Sequence, residues 1–466
     1  MSERLSKNQF RAPWAIFWTG LALRLVVIVV GHTYRVNPAD GHFQFGFEAG
    51  RIARSLVEGH GYANPFNGES GPTAWLPPLY PLLMAAAFRL FGVYTRGAAF
   101  FLLACNSVFS AAIAPAVYEI AARCFDAQGI ARRRAVFFGR QTAVPVALWS
   151  AWLWAVYPAA LQYAIHWIWE MSLSAFLFAW IVVVALRLRG VGEPEHAPGA
   201  KAPVQGSGVR PEAEASGYLF SPGYSSPGYR VWLAFGLLWG VLMLANASLL
   251  LCLPVMVAWI LWRRVTLRGL GGAAMACVLV GLVMSPWVVR NERVLHAFVP
   301  TRSNLGMELY ESTLDRNDGF PWGTTLPLWP GDPEFRAFVR TGEVRFSAQR
   351  GAEAKARIRA RPGQTARWTL DRFLFFWDGT PHPPDRHPVQ EYLRQLSYCF
   401  LSACGLLGLA LMLWRRVPGA GLFALVFLLM PVPYYLVTVQ PRFRHPIEPL
   451  IAVLAVYLLR STEARQ

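Results

Sequence analysis

The 466-residue chain is 55% hydrophobic, only 15% charged, and carries a formal net charge of +17. A soluble domain has about a quarter of its residues charged, so this chain lacks the charge for a wholly water-facing surface. The basic excess is no nucleic-acid footprint either, because its arginines fall in short segments between apolar blocks instead of on one exposed folded face.

Apolar blocks run at 14–30, 97–121, 143–160, 231–262, 270–289, 397–414, 419–438 and 446–460, each near the length that crosses a bilayer. Arg4, Lys7 and Arg11 precede the first block, and Arg132, Arg133, Arg134 and Arg140 lie between two others. Arg263, Arg264 and Arg268, then Arg415 and Arg416, then Arg460 and Arg465 close further blocks. Basic short loops stay on the cytoplasmic side, which fixes orientation and puts both termini there. The first block has no small-residue cleavage pattern after it and reads as a retained anchor.

Parity then does the counting. Residues 31–96 and 290–396 fall on the outer side, with 97–121 as a crossing. The stretch at 77–92 lies at or dips into the outer face; its entry GPTAWLPPLYP uses proline where a helix start has no N–H to satisfy. The 143–160 block exits to a turn through YPAALQYAIHWIWE, and a crossing from about 168 to 187 returns to a Gly-, Pro- and Ser-rich linker at 188–229. The 231–262 block is too long for one crossing and breaks at Asn246-Ala247-Ser248. In the loop beyond 290, Pro362 ends one basic helix and a second runs from Thr365 into FLFFW at the membrane surface. The expectation is an all-α polytopic membrane protein of about ten transmembrane helices with two large periplasmic loop regions. Its parts are a cytoplasmic N-terminus (1–13), a transmembrane module (14–289), a large loop (290–396) and C-terminal helices (397–466). The six cysteines all sit in or beside apolar blocks, which supports neither a disulfide framework nor a thiolate metal site.

Nearly all polar material that could do chemistry is thus on one side, in 31–96, in 290–396 and in the turn VTVQPRFRHPIEP. The order of motifs is FEAGRIARSLVEGHGY, then PPLYP ending in LFG, then SPWVVRN, then QPRFRHPIEP before the last block. Over most of residues 10–460 this order resembles the GT-C class of membrane glycosyltransferases, near bacterial members akin to protein O-mannosyltransferases and the lipid A aminoarabinose transferase. The resemblance implies an inner-membrane enzyme with a periplasmic active site. Its donor would be a sugar on a polyprenyl monophosphate, its acceptor an envelope lipid, glycan or protein, and its reaction an inverting transfer.

Glu48 is the first candidate for the base that takes a proton from the acceptor hydroxyl; its helix places Arg51 and Ser55 on the same face, where a plain ion pair would also fit. Relatives of that class carry their acid nearer the helix start, where this chain reads HFQFGFE, so Asp40 is the reserve candidate. Glu170, in HWIWEMS, is a second acid at the membrane edge, either a metal ligand or an electrostatic partner of Glu48, or a snorkelling residue among Trp167 and Trp169. Glu48, Glu170 and His166 are the candidate ligands if a divalent metal takes part, although no spacing here specifies one. Arginines on the outer side run against the orientation rule, and a guanidinium fork suits a phosphate held at the membrane boundary. Arg442 and Arg444 lead that reading, with Arg290 and Arg302 behind, against lipid headgroups or Glu448 as partners. Trp75 and Tyr80 offer aromatic faces for sugar, or ordinary interfacial anchors, and His445 is a further substrate-binding candidate. The rivals are a carrier or flippase for a lipid-linked or anionic substrate, which would favour charges inside the spans, and an inactive scaffold of the same fold.

Overall fold

The computed structural model describes residues 2–36, 43–127, 134–137, 140–143, 145–193, 228–263, 265–314, 329–379 and 388–462. Asp40, Arg132, Arg133, Arg264 and most of the 188–229 linker lie outside these residues.

In chain order the helices are α1 (Ser2–Val30), α2 (Glu48–Val57), α3 (Leu79–Phe91), α4 (Arg96–Ala111), α5 (Ile113–Ala121), α6 (Val146–Val156), α7 (Pro158–Ile165) and α8 (Met171–Leu188). There follow α9 (Tyr229–Met243), α10 (Cys252–Leu261), α11 (Leu267–Leu295), α12 (Leu305–Glu311), α13 (Pro333–Thr341), α14 (Glu343–Ala360) and α15 (Pro362–Asp378). The chain closes with α16 (Pro388–Trp414), α17 (Ala420–Leu429), α18 (Val432–Leu436) and α19 (Glu448–Thr462). The structure is all-helical as expected, apart from one short antiparallel ribbon that pairs Arg134–Phe137 with Arg140–Ala143.

Among the described residues five helical stretches are long and apolar enough to cross a membrane: Ala12–Val30, Arg96–Asp126, Met171–Leu188, Leu267–Leu295 and Tyr392–Trp414. The remaining expected crossings are shorter pieces, and proline or asparagine explains the breaks. Pro158 starts α7 after an extended Tyr157, Pro431 separates α17 from α18, and the Asn246 side chain accepts from Ser248 N at 3.1 Å between α9 and the next turn. At about 1.5 Å per residue, α3 reaches only about 20 Å and cannot cross alone.

The bundle encloses one large apolar core, to which Trp154, Phe178, Trp239 and Tyr457 contribute. Buried charge inside it is tied down by partners. Arg24 of α1 donates from Nε to Ser110 Oγ (3.2 Å) and from Nη1 to Gly20 O (2.9 Å) and Ala155 O (3.0 Å), locking α1 to α4 and α6. Glu119 accepts from Arg123 Nε (2.9 Å) and Arg187 Nη2 (2.7 Å), joining α5 to α8. Residues of 66–75, α12, α13 and α14 form a cap with its own aromatic core of Phe66, Trp75, Phe335, Phe338 and Phe346. Arg361 and Pro362 separate α14 from α15, as expected from the proline, although α15 starts at Pro362 itself.

Small residues let α9 and α11 approach closely. A Cβ on Gly236 would lie 2.7 Å from Ala276 O, whereas one on Gly281 would meet nothing within 4 Å. Between membrane helices such close approach replaces the hydrophobic driving force that lipid removes. Gly236→Ala should therefore lower stability by about 1–3 kcal/mol, and Gly281→Ala should stay within about 0.5 kcal/mol of wild type. Unfolding in detergent measures both; equal effects would refute this packing.

Candidate active site

Glu48 opens α2, and the backbone before it is shaped to bring that carboxylate against the 166–170 turn. Gly46 has φ 70°, and a Cβ there would lie 2.8 Å from Ile168 O, so any other residue would push the two segments apart. Phe47 follows at φ 45°, a conformation unfavourable for a side chain of its size, with its ring 6.4 Å from that of Trp169 and the Arg51 guanidinium 5.6 Å over its face. The turn is held from below. Asn106 Nδ2 donates to Trp167 O (2.9 Å) and Trp169 O (3.4 Å), and Tyr80 OH donates to Asn106 Oδ1 (3.2 Å). Tyr80 is buried and so supports the Glu170 turn instead of facing a ligand. Trp75 is equally buried, edge-on to Phe66 at 5.0 Å and to Phe338 at 6.1 Å, inside the cap.

The 3₁₀ segment Pro441–Ile447 completes this side and separates the arginines by role. Arg444 and His445 are fully buried. Arg444 lies 3.2 Å over the Tyr398 ring, donates to Ser402 Oγ and reaches Glu448 Oε1 at 3.4 Å, while His445 Nδ1 is 2.6 Å from Glu448 Oε2. That knot gives both residues Glu448, the partner named as the alternative to a phosphate, while Arg444 Nε and His445 Nε2 have no hydrogen-bond partner among the described residues. Arg442, two residues earlier, is half-buried, stacks 3.8 Å over Trp169 and makes no hydrogen bond or ion pair to a described residue.

Helix α12 brings two acids that the sequence reading did not single out, Glu308 and Glu311 of MELYE. Their three-residue spacing puts both on one helical face, a signal that a search for isolated loop acids passes over. Glu308 accepts from Arg302 Nη2 (2.9 Å), Asn304 Nδ2 (3.0 Å) and Thr438 Oγ1 (3.3 Å). Arg302 is thereby part of the acidic group, though as a partner of Glu308. Glu311 is buried and its Oε1 has no hydrogen-bond partner.

These groups act on one another. Burial raises the Glu48 carboxyl above its ordinary value, Arg51 and Arg442 hold it down, and Glu308 pushes it up. Burial lowers the Arg442 guanidinium, opposed by Glu170, Glu48, Tyr163 and Glu308. The Glu311 carboxyl stands well above the usual range, first through burial and then through Glu308 and Glu48. Among the described residues no three His, Cys, Asp or Glu side chains come together as a metal would need, and His166 is exposed. The donor set thus does not fit the divalent metal expected of Glu48, Glu170 and His166.

Arg290 is a clamp. It donates to Thr73 O (2.6 Å) and Tyr62 O (2.6 Å), with its guanidinium 5.3 Å over both Tyr62 and Trp287. Beside it, buried Glu343 accepts from Ala74 N (2.7 Å), Ser303 Oγ (2.5 Å) and Thr73 Oγ1, with burial raising its carboxyl against those hydrogen bonds. A cavity of about 960 Å³ opens on the other side of this clamp, lined by His60, Ser70, His296, Glu343 and Arg345; none of Glu48, Glu170, Glu308 or Arg442 borders it.

No protein-family model matches the chain, and no curated protein matches it. Among solved structures, an oligosaccharyltransferase from Archaeoglobus fulgidus in complex with Zn and sulfate is similar over 94% of this chain and 48% of its own, at 12% identity and TM-score 0.46. The archaeal oligosaccharyltransferase AglB from the same organism, in complex with an inhibitory peptide and a dolichol-phosphate, is similar over 95% of this chain and 50% of its own, at 13% identity and TM-score 0.45. ArnT from Cupriavidus metallidurans, bound to undecaprenyl phosphate, is similar over 96% and 77%, at 17% identity and TM-score 0.36. The chain spans about half the length of the two oligosaccharyltransferase structures.

The two half-buried arginines should behave differently when removed. Hydrogen bonds from a charged donor contribute roughly 1.5–3 kcal/mol, so Arg290→Ala should raise protease cleavage within 62–73 by about tenfold or more. Arg442→Ala should leave that loop protected. Equal cleavage in the two variants would show that Arg290 is not the clamp.

Proposed function

We propose that the chain is a GT-C-type glycosyltransferase moving a sugar from a polyprenyl monophosphate to an envelope acceptor on the periplasmic side. The observation that carries this reading is Arg442: a guanidinium without a hydrogen-bond partner among the described residues, stacked on Trp169 and facing Glu170 and Glu48. A planar fork with open donors beside a carboxylate is what a departing phosphate and an attacking hydroxyl require together. The order of motifs along the chain supports the same reading.

In the proposed step, Glu48 accepts the acceptor's hydroxyl proton as that oxygen bonds to the anomeric carbon. The bond from that carbon to the phosphate oxygen breaks with inversion, and the charge left on the polyprenyl phosphate falls to Arg442. Glu170 orients Arg442 through its charge, and Arg302 steadies Glu308 beside them. A carrier reading finds less support, because Arg24 and Glu119 inside the bundle are engaged by fixed partners and do not line a path.

Purified protein offered radiolabelled polyprenyl-phosphate sugars and extracted envelope acceptors tests this. Glu48→Gln should reduce transfer by about 10²- to 10⁴-fold while still binding donor, and Arg442→Ala should weaken donor binding by roughly 10- to 100-fold. A base works only when deprotonated, and burial raises Glu48, so the rate should fall with decreasing pH at a value above the ordinary carboxyl range. Donor consumption that survives in Glu48→Gln would remove Glu48 from the mechanism; donor bound but never consumed by wild type would favour the carrier.

A further inference from the structure

We propose that Glu311 is a positioning residue held as a neutral carboxylic acid, one helical turn from Glu308 and with a buried, unpartnered oxygen, and that it acts through Glu48 and Glu308. The proton's location rests on the geometry of α12, while its role in transfer rests on the proposed function.

Glu308 and Glu311 share one face of α12, yet their surroundings differ. Glu308 has Arg302, Asn304 and Thr438 as donors and retains some solvent exposure. Glu311 is 5% exposed, and among the described residues no basic side chain pairs with it. The charges around it come from each neighbouring element. Glu308 lies on its own helix and Glu48 on α2, and both raise it further after burial has done so. Arg372 of α15 approaches closely, but its donors go to Ser312 O (3.4 Å), Thr369 Oγ1 (3.3 Å) and Tyr435 O (2.7 Å). On α14, Arg350 and Arg357 stack over Tyr310 at 4.9 and 5.1 Å, and Arg350 is already paired with Glu334 and Glu353. Also on α14, Glu343 is held by Thr73, Ala74 and Ser303. An ionised Glu311 would be a buried charge without a counter-ion, which proteins avoid by neutralising the group.

Charge balance gives that proton a use. Glu48, Glu170, Glu308 and Glu311 are four carboxyl groups, and Arg51, Arg302 and Arg442 are three guanidiniums, linked to them electrostatically or by contact. With all four ionised, the group would be net negative before an anionic phosphate arrived. With Glu311 neutral, three acids face three arginines, and Glu311 adds an O–H donor where the other carboxylates only accept.

Infrared titration of the full-length protein in lipid nanodiscs tests the proton directly, comparing wild type, Glu311→Gln and Glu308→Gln. The wild type should keep a protonated-carboxyl band at neutral pH that Glu311→Gln lacks. Glu308→Gln should move the loss of that band to lower pH by on the order of one unit, because a like charge has gone. Identical spectra for wild type and Glu311→Gln overturn the proposal; should Glu311→Gln fail to fold, an unmoved band in Glu308→Gln overturns it instead. Stability gives a second reading. A carboxyl raised by folding stabilises fully below its unfolded value, and that stability is lost as pH rises through its folded value. Glu311→Gln should abolish this decline. In the transfer assay, Glu311→Gln should shift the alkaline limb of the pH profile upward, whatever its rate at neutral pH; an unmoved limb removes the positioning role. If the band behaves as stated and no donor is ever consumed, the protonation stands and the transfer reading falls.

Discussion

The carboxylate of Glu343 is the point on which the cap depends. It reaches across from α14 to take hydrogen bonds from Thr73, Ala74 and Ser303, so a single buried acid fastens the 73–74 segment to the 303–343 region. Arg290 closes the same junction from α11 through Tyr62 O and Thr73 O. Without this junction α2 and α12 would be independent loops, and Glu48 and Glu308 would have no reason to share an environment. A buried charged group satisfied by several donors holds geometry well, because removing any one donor leaves the others with an uncompensated charge.

The arginines of the loop end show how little the type of a residue says about its task. Arg290 holds Tyr62 O and Thr73 O, Arg444 is buried against the Tyr398 ring, Ser402 and Glu448 with its Nε lacking a hydrogen-bond partner among the described residues, and Arg302 is spent on Glu308 and Asn304. Arg442 stacks on Trp169 and lies over Phe443, makes no hydrogen bond to a described residue, and feels the charges of Glu170, Glu48 and Glu308.

The stiff segment GPTAWLPPLYP has a related explanation. Its prolines and aromatics do not face a substrate. Tyr62 OH caps Leu76 O (2.9 Å) and Pro77 O (3.2 Å), Trp75 enters the cap core, and Tyr80 props Asn106 under the 166–170 turn. Rigidity here positions Glu170 at second hand, which is how a supporting shell serves a site it does not touch.

Much of the architecture was legible in the chain. Apolar blocks of bilayer length, the basic ends, the break at Asn246 and the helix boundary at Pro362 are local properties, written in composition and in residues that lack an N–H or cap a helix. Glu48, Glu170 and Arg442 stood out in the chain as two acids and an arginine beside apolar blocks. What the chain could not disclose depends on contacts between distant segments. That Arg444 and His445 are buried with Glu448, that Trp75 packs on Phe338, and that Glu48 and Glu308 both act on Glu311 are set by packing that composition does not show. Burial and partner choice decide whether a charged group is a strut or a tool, and neither exists until the helices have met.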